Sequence, residues 1–277
     1  KGTKKRKNTL ILTREIDRLG AEYNAFTAKE HTGYYIKADS KFIATSLDIL
    51  SDMLFNSLFD KKEMEREKTV IVEELRMYKD NPIMNIENIF EETMFMSPLG
   101  RDIGGTEKNV MSFARADVLE FKHKYYDPSN ATIVVAGDIG PGVKDLLEKY
   151  FGAEESRNAP SKHFEPADFG AEEKTKRIFI EKKKTDQVQM MLGFPGFEYN
   201  AEENIIFNVL NTILGGSMSS RLFIQVRERR GLAYSIHSGA ENYRDAGYVY
   251  VRAGLEAKNV NKAIAVIKQE INKIKTK

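Results

Sequence analysis

RRGLAYSIHSGAENYRDAGYVYVRAGLEA, residues 229–257, leaves a helix through a glycine, forms an aromatic hairpin and runs into a second helix. An earlier stretch, RLGAEYNAFTAKEHTGYYIKADS at 18–40, has the same order. Tyr23 stands three residues beyond Gly20, and Tyr234 three beyond Gly231. Identity between the two is weak, but a repeated order of elements is the mark of a duplicated supersecondary unit. The chain therefore reads as two copies of one α/β unit. Strands mixed with helices and followed by hairpins predict an α+β fold of two related α/β domains, each a mixed sheet with helices packed on one face.

Working outward, the first copy begins with a helix at 8–19 that stops at Gly20. Ser40 is placed to cap a helix over 41–58. Helices follow at 63–80, at 82–95 and up to Tyr126. ATIVVAG (131–137) is a short, almost wholly apolar run, which predicts a strand buried on both faces. A helix at 143–151 closes the first domain, 1–152. Residues 153–175 lack periodicity and read as a linker. The second domain, 176–277, opens with strands RIFIEK and VQMMLGFPG, then a helix at 201–214, the loop GGSMSSR and a helix ending near Arg230. It stops abruptly after the second hairpin's helix, so the second domain reads as truncated.

Composition narrows the function. The chain has 277 residues, 41% of them apolar and 30% charged, the profile of a folded globular protein. With 43 basic and 41 acidic residues there is no whole-molecule field to attract nucleic acid, a membrane or an acidic substrate. The absence of cysteine excludes disulfides, thiolate nucleophiles and cysteine-based metal sites. No apolar run reaches membrane-spanning length. KGTKKRK at the start holds five basic residues in seven. With no aromatic platform beside it, it reads as a solvated loop or the start of a helix rather than a nucleic-acid site. The lack of an initial methionine marks the chain as processed or as part of something longer, and an upstream signal peptide stays open.

The helix EMEREKTVIVEELRMYKD (63–80) carries charges in unexpected places. At about 100° per residue, Met64, Val70, Ile71, Leu75, Met77 and Tyr78 share one arc. Glu67 and Glu74, seven apart and nearly superimposed, fall in the middle of that arc, while Lys68, Arg76 and Lys79 face elsewhere. A carboxylate on an apolar face is costly unless paired, hydrogen-bonded or metal-bound. A structural ion-pair network, an acid/base pair and a metal site all remain open on spacing alone. The four histidines, His31, His123, His163 and His237, lie in no zinc-binding pattern, and each reads as a surface or hairpin residue.

Six stretches occur in one chain in a single order: NAFTAKEHTGYY, EREKTVIVEEL, PLGRDIGGTEKNV, KYYDPSNATIVVAGDI, LGGSMSSRLF and VRERRGLAYS. In that arrangement the sequence resembles the insulinase/pitrilysin-type zinc metallopeptidases, from its first residue to its last, and within them the bacterial processing-peptidase-like branch. The resemblance implies a mitochondrial-processing-peptidase-like fold. In that family the zinc motif H-x-x-E-H is typically followed by Met, any residue, Phe and then Lys-Gly-Thr, and this chain begins Lys1-Gly2-Thr3. The family's spacing from the motif to its ligand glutamate, less Met-x-Phe, equals the 73 residues that precede Glu74. Glu74 thus matches the third zinc ligand, and Glu67 the carboxylate that orients a ligand histidine.

By the same resemblance, residues 22–27 match the edge strand that pairs with a peptide substrate, with Asn24, Ala25 and Phe26 beside the scissile bond. Arg227 and Tyr234 match the arginine and tyrosine that hydrogen-bond the substrate across a closed chamber, Tyr234 assisting the oxyanion. Without the family, 22–27 is an ordinary aromatic strand, Arg227 a solvated charge and Tyr234 a core residue. The resemblance implies a zinc endopeptidase for peptides or small unfolded proteins, cytoplasmic and homodimeric, with neither nucleic acid nor membrane as partner. It also implies that this chain, lacking the two histidines and the catalytic glutamate, binds no zinc by itself and is inactive. The alternative within the family is a non-catalytic partner or scaffold subunit.

Overall fold

The structure, a computed structural model, describes residues 1–152, 166–169 and 177–276. His163 and most of the expected linker lie outside these. The chain divides into two compact units, one of residues 1–75 and 103–164, the other of 76–102 and 165–277.

In the first unit, α1 (Thr9–Asp17) starts at Asn8, whose side chain accepts the Ile11 N–H at 3.0 Å. It ends at Gly20, which takes φ +61° with no atom within 4 Å of a Cβ built there, so backbone conformation alone selects glycine. Strands β1 (Glu22–Thr27) and β2 (Thr32–Lys37) form the expected hairpin, antiparallel with Glu22 opposite Lys37 and Thr27 opposite Thr32. Ser40 does not cap the next α-helix, whose N-cap position Phe42 makes no side-chain cap bond; the cap here is Asp39, on a 3₁₀ turn at Ser40–Phe42. The Asp39 carboxylate accepts the Lys41 N–H at 3.1 Å, and the turn leads into α2 (Ile43–Phe55). After α3 (Lys61–Asp80), which runs on into the second unit, and α4 (Pro82–Met94), which lies wholly there, the first unit resumes with α5 (Glu107–Ser112), α6 (Arg115–Tyr125) and α7 (Val143–Phe151).

Much of the first unit's buried interior is polar. Arg6, expected to be solvated, is 5% exposed. Its guanidinium donates to Glu15 at 2.6 Å, Asp48 at 2.7 Å and Asp52 at 3.1 Å. The Glu15 hydrogen bonds are the largest cause holding the Arg6 pKa above its ordinary value. Buried Thr3 adds a hydroxyl bond to Asp52 and bridges the backbone of Ser57. The basic opening segment is thus an anchored turn. ATIVVAG joins no ladder among the described residues, and Val134 is 81% exposed. A strand needs a neighbour to bond its backbone, and an apolar composition does not supply one.

In the second unit, β3 (Val188–Pro195), β4 (Ala233–Asn242) and β5 (Gly247–Leu255) form an antiparallel sheet in the order β3-β5-β4. Helix α8 (Glu203–Leu214) leads to a π-helix at Phe223–Glu228, and α9 (Val260–Thr276) ends the described chain. Leu222, Val226, Ile236, Val251 and Ile267 build the main apolar core. On the other side of the sheet, Phe90 and Met94 of α4 pack with Phe95 and Tyr248, so the sheet carries helices on both faces. Glu91 of α4 accepts the Tyr243 hydroxyl at 2.5 Å and the Tyr248 hydroxyl at 3.1 Å. RIFIEK, expected as a strand, is likewise unpaired among the described residues, with Ile178 and Ile180 open to solvent.

Candidate active site

Helix α3 settles what its carboxylates face. Its packed side runs through Lys68 and Val72, and Lys68 is buried with its ammonium on Glu65 at 2.8 Å. The expectation that Lys68 faces solvent is therefore wrong: its aliphatic stem packs inward while the ammonium reaches Glu65. The arc that holds the two glutamates is only partly covered: Met64, Glu67, Ile71 and Leu75 are half-buried, and the rest is open. Val70 is 50%, Met77 51% and Tyr78 42% exposed, and Glu74 between them is exposed too. The apolar residues there do not form a core, so Glu74 has solvent in front of it and pays no burial cost. Glu67 stands about 10 Å nearer the helix start on the same arc. Its Oε2 is buried and takes an ion pair from Lys1. Gly2 and Thr3 hold that lysine there: the Gly2 carbonyl accepts the Leu58 N–H at 3.0 Å, and the Thr3 N–H reaches the Arg6 carbonyl at 2.7 Å.

Two carboxylates on one partly open helical arc can each offer oxygen to a cation, but they do not make a metal site by themselves. Among the described residues no group of three or more His, Cys, Asp or Glu could hold a metal ion. A cavity of about 780 Å³ lies at the start of α3, between Lys1, Lys7, Lys61, Glu63 and Arg115. Neither Glu67 nor Glu74 lines it, so this cavity and the candidate chemistry do not coincide. His31 packs edge-on against Phe26 at 5.7 Å, as a hairpin residue. His237 lies on β4 against Tyr250, and burial with the Arg252 charge lowers its pKa.

Strand β1 is exposed along its whole length and pairs only with β2 among the described residues. Phe26 is 50% exposed, and Asn24 Oδ1 accepts the Ala25 N–H at 2.8 Å. An edge of this kind is open to a further strand once that N–H is released.

In the second unit, Arg227 and Tyr234 each sit where the backbone takes in an extra residue. Arg227 belongs to the π-helix, whose wide turn is marked by the Arg229 N–H on the Ile224 carbonyl at 2.9 Å. The guanidinium lies 4.7 Å from the centre of the Phe223 ring. Tyr234 falls at a shift in the β4–β5 register: Ala233 faces Leu255 and Ser235 faces Gly254, which leaves Tyr234 as the bulged residue. Its side chain is 74% exposed, so it is not a core residue. Sequence reading did not find Phe223. The only trace is its position four residues before Arg227.

Residues 1–107 match the family model described as insulinase (peptidase family M16), and residues 112–277 that of the peptidase M16 inactive domain. This chain belongs to the insulinase family of peptidases. Within that family it is 37% identical over 270 residues to an uncharacterized zinc protease of Bacillus subtilis, covering 97% of this chain and 64% of the relative. A Streptomyces coelicolor protein with the same description is 34% identical, with 99% of this chain and 60% of the relative covered. The chain thus spans about three-fifths of the relatives it matches. Among solved structures, a protease from Helicobacter pylori superposes with a TM-score of 0.88 at 21% identity, over 100% of this chain and 70% of that one. The shared architecture is the two-domain peptidase fold. No helix among the described residues is long and apolar enough to cross a membrane.

Proposed function

We propose that this chain is part of a zinc-dependent endopeptidase that cuts peptides or small unfolded proteins inside a closed chamber. The observation that carries the reading is the open part of this α3 arc, where Glu74 faces solvent among uncovered apolar side chains, with Lys1 held against Glu67. In this reading a segment preceding Lys1 carries H-x-x-E-H. Its two histidines would join Glu74 as ligands, and Glu67 would exchange its lysine for one of those histidines and orient it. Zinc, when bound, would polarise a peptide carbonyl and acidify a water. Everything else falls to this chain's residues. The free edge of β1 takes the substrate backbone as an added strand, with Asn24, Ala25 and Phe26 alongside it. Arg227 and Tyr234 donate hydrogen bonds to substrate carbonyl oxygen, Tyr234 to the one that gains charge. Homodimeric assembly, a processing role and a cytoplasmic location belong to the same proposal.

The test is zinc content and peptide cleavage by the full-length protein and its Glu74→Gln and Glu67→Gln variants. Glu74→Gln is expected to lose bound zinc and cleavage together. Glu67→Gln is expected to weaken zinc by about 10- to 100-fold. Full zinc retention and cleavage in Glu74→Gln would remove the glutamate from the metal site. A full-length protein that binds no zinc would make the chain a non-catalytic partner subunit.

A further inference from the structure

Between the π-helix and the start of β4 the chain departs from regular geometry twice, and the first departure builds a platform. Leu222 and Val226, four apart, are both 0% exposed and anchor one side of the segment in the apolar core. Phe223 and Arg227 follow each of them by one residue and emerge together, half-buried, on the adjacent side. When hydrogen bonds run from residue i to i+5, a turn holds more than four residues, so i and i+4 stand closer to eclipsed than in an α-helix. The guanidinium carbon therefore lies over the Phe223 ring, 4.7 Å from its centre. The end of the segment is fixed as well. The Gly231 N–H reaches the Arg227 carbonyl and the Leu232 N–H the Val226 carbonyl, both at 2.9 Å, with Gly231 at φ +57°.

We propose that Phe223 is a positioning residue that holds the Arg227 guanidinium for the carbonyl oxygen of an extended peptide, a role that rests on the reading of Arg227 as a substrate-binding group. A flexible arginine gives up much of its rotamer freedom when it binds. A ring beside the guanidinium takes part of that freedom away in advance without itself accepting a conventional hydrogen bond from the N–H groups. Among the described residues the carboxylate that pairs with Arg227, Glu228 Oε1 at 3.9 Å from Nε, is beyond hydrogen-bond distance and does not occupy those donors. The π-turn has a use under this reading: it brings the two side chains into register, while Leu222 and Val226 carry the packing.

The experiment uses the full-length protein and a long internally quenched peptide. The variants are Phe223→Leu, Phe223→Tyr, Arg227→Ala and the double variant Phe223→Leu/Arg227→Ala. Phe223→Leu keeps apolar bulk but removes the ring, and is expected to raise KM about fivefold with kcat, zinc content and Tm nearly unchanged. Phe223→Tyr should restore KM, and the double variant should be no worse than Arg227→Ala. A wild-type KM in Phe223→Leu, or additive losses in the double variant, would overturn the positioning role. A fall in Tm and kcat that Phe223→Tyr does not restore would make the ring structural. If Arg227→Ala leaves both constants unchanged in an active, zinc-loaded protein, it is the substrate-binding reading of Arg227 that fails. Should the wild type bind the peptide without cutting it, Kd from fluorescence anisotropy carries the same fivefold test. Loss of catalysis and loss of positioning are then told apart.

Discussion

The two hairpins share an order of elements and almost nothing else. Each follows a helix that ends on a left-handed glycine, at φ +61° for Gly20 and +57° for Gly231, and each is followed by a helix. Every residue of β1 is exposed, and Tyr23 and Tyr35 lie 41% and 38% open. In β4 and β5, by contrast, Ile236, Tyr248, Val251, Ala253 and Leu255 are buried between helices on both faces. The first unit leans on Arg6 and its three carboxylates, the second on an apolar core. A shared local chemistry of glycine, tyrosine and turn can therefore specify a hairpin without specifying what holds it. Stability comes from what packs against the strands, and an exposed hairpin keeps an edge free for a ligand strand.

The largest expected difference lies between Tyr248 and Tyr35, each on the second strand of its hairpin. Tyr248→Ala removes a fully buried ring and the hydroxyl donated to Glu91. It should cost about 3–5 kcal/mol. Tyr35→Ala removes a ring that is 38% exposed, with its hydroxyl on Glu22 at 3.1 Å. It should cost about 1 kcal/mol or less. Urea unfolding of both variants checks the pair, and equal losses would mean that the first hairpin is as well supported as the second. Next comes Asp52→Ala, which takes one carboxylate from Arg6 but leaves Glu15 and Asp48 in place. A loss of about 2 kcal/mol is expected in the same measurement. No loss would show that the polar interior is not what supports the first unit.

These contrasts also show what local sequence can convey. Gly20 and Gly231 are legible because a left-handed residue is a property of the backbone alone. The arc of Glu67 and Glu74 is legible because a helix fixes angles by counting. What covers an arc is not legible: Lys68 reads as solvated by charge, yet its stem is buried, and Val70 and Met77 read as core but lie open. Arg6 was lost among the basic residues of KGTKKRK because its partners come from Glu15, Asp48 and Asp52, which converge only in the fold. The ladders expected of ATIVVAG and RIFIEK do not form among the described residues for a related reason, since a strand's partner is not written in its own residues. The π-turn under Arg227 and the bulge at Tyr234 depend on single extra residues, which periodicity does not resolve.

The two glycines supply a smaller test that should not separate the hairpins at all. A Cβ at Gly20 or Gly231 would meet nothing within 4 Å, so alanine is penalised only through its positive φ. Gly20→Ala and Gly231→Ala should each cost about 1–2 kcal/mol. A much larger loss at Gly231 would mean that the second turn has a packing role the first lacks, and the likeness between the copies would then end at the helix.

The smallest effect depends on pH and belongs to the second hairpin alone. Glu241 of β4 lies opposite Tyr248. Burial first, and then the charges of Glu87 and Glu91 on α4, raise its pKa above the ordinary carboxylate value. A carboxyl that binds its proton more tightly in the folded state favours folding when protonated. That contribution is fully present below the unfolded pKa and is lost as pH rises through the folded one. Glu241→Gln keeps a neutral side chain of the same shape at every pH. The variant should therefore match the wild type near pH 3.5 and become the more stable of the two near pH 8, the gap opening between the ordinary carboxylate pKa and the raised one. Melting curves across that range would show the divergence. A constant offset at all pH values would mean that the variant acts through packing and that burial of the Glu241 charge costs the sheet nothing.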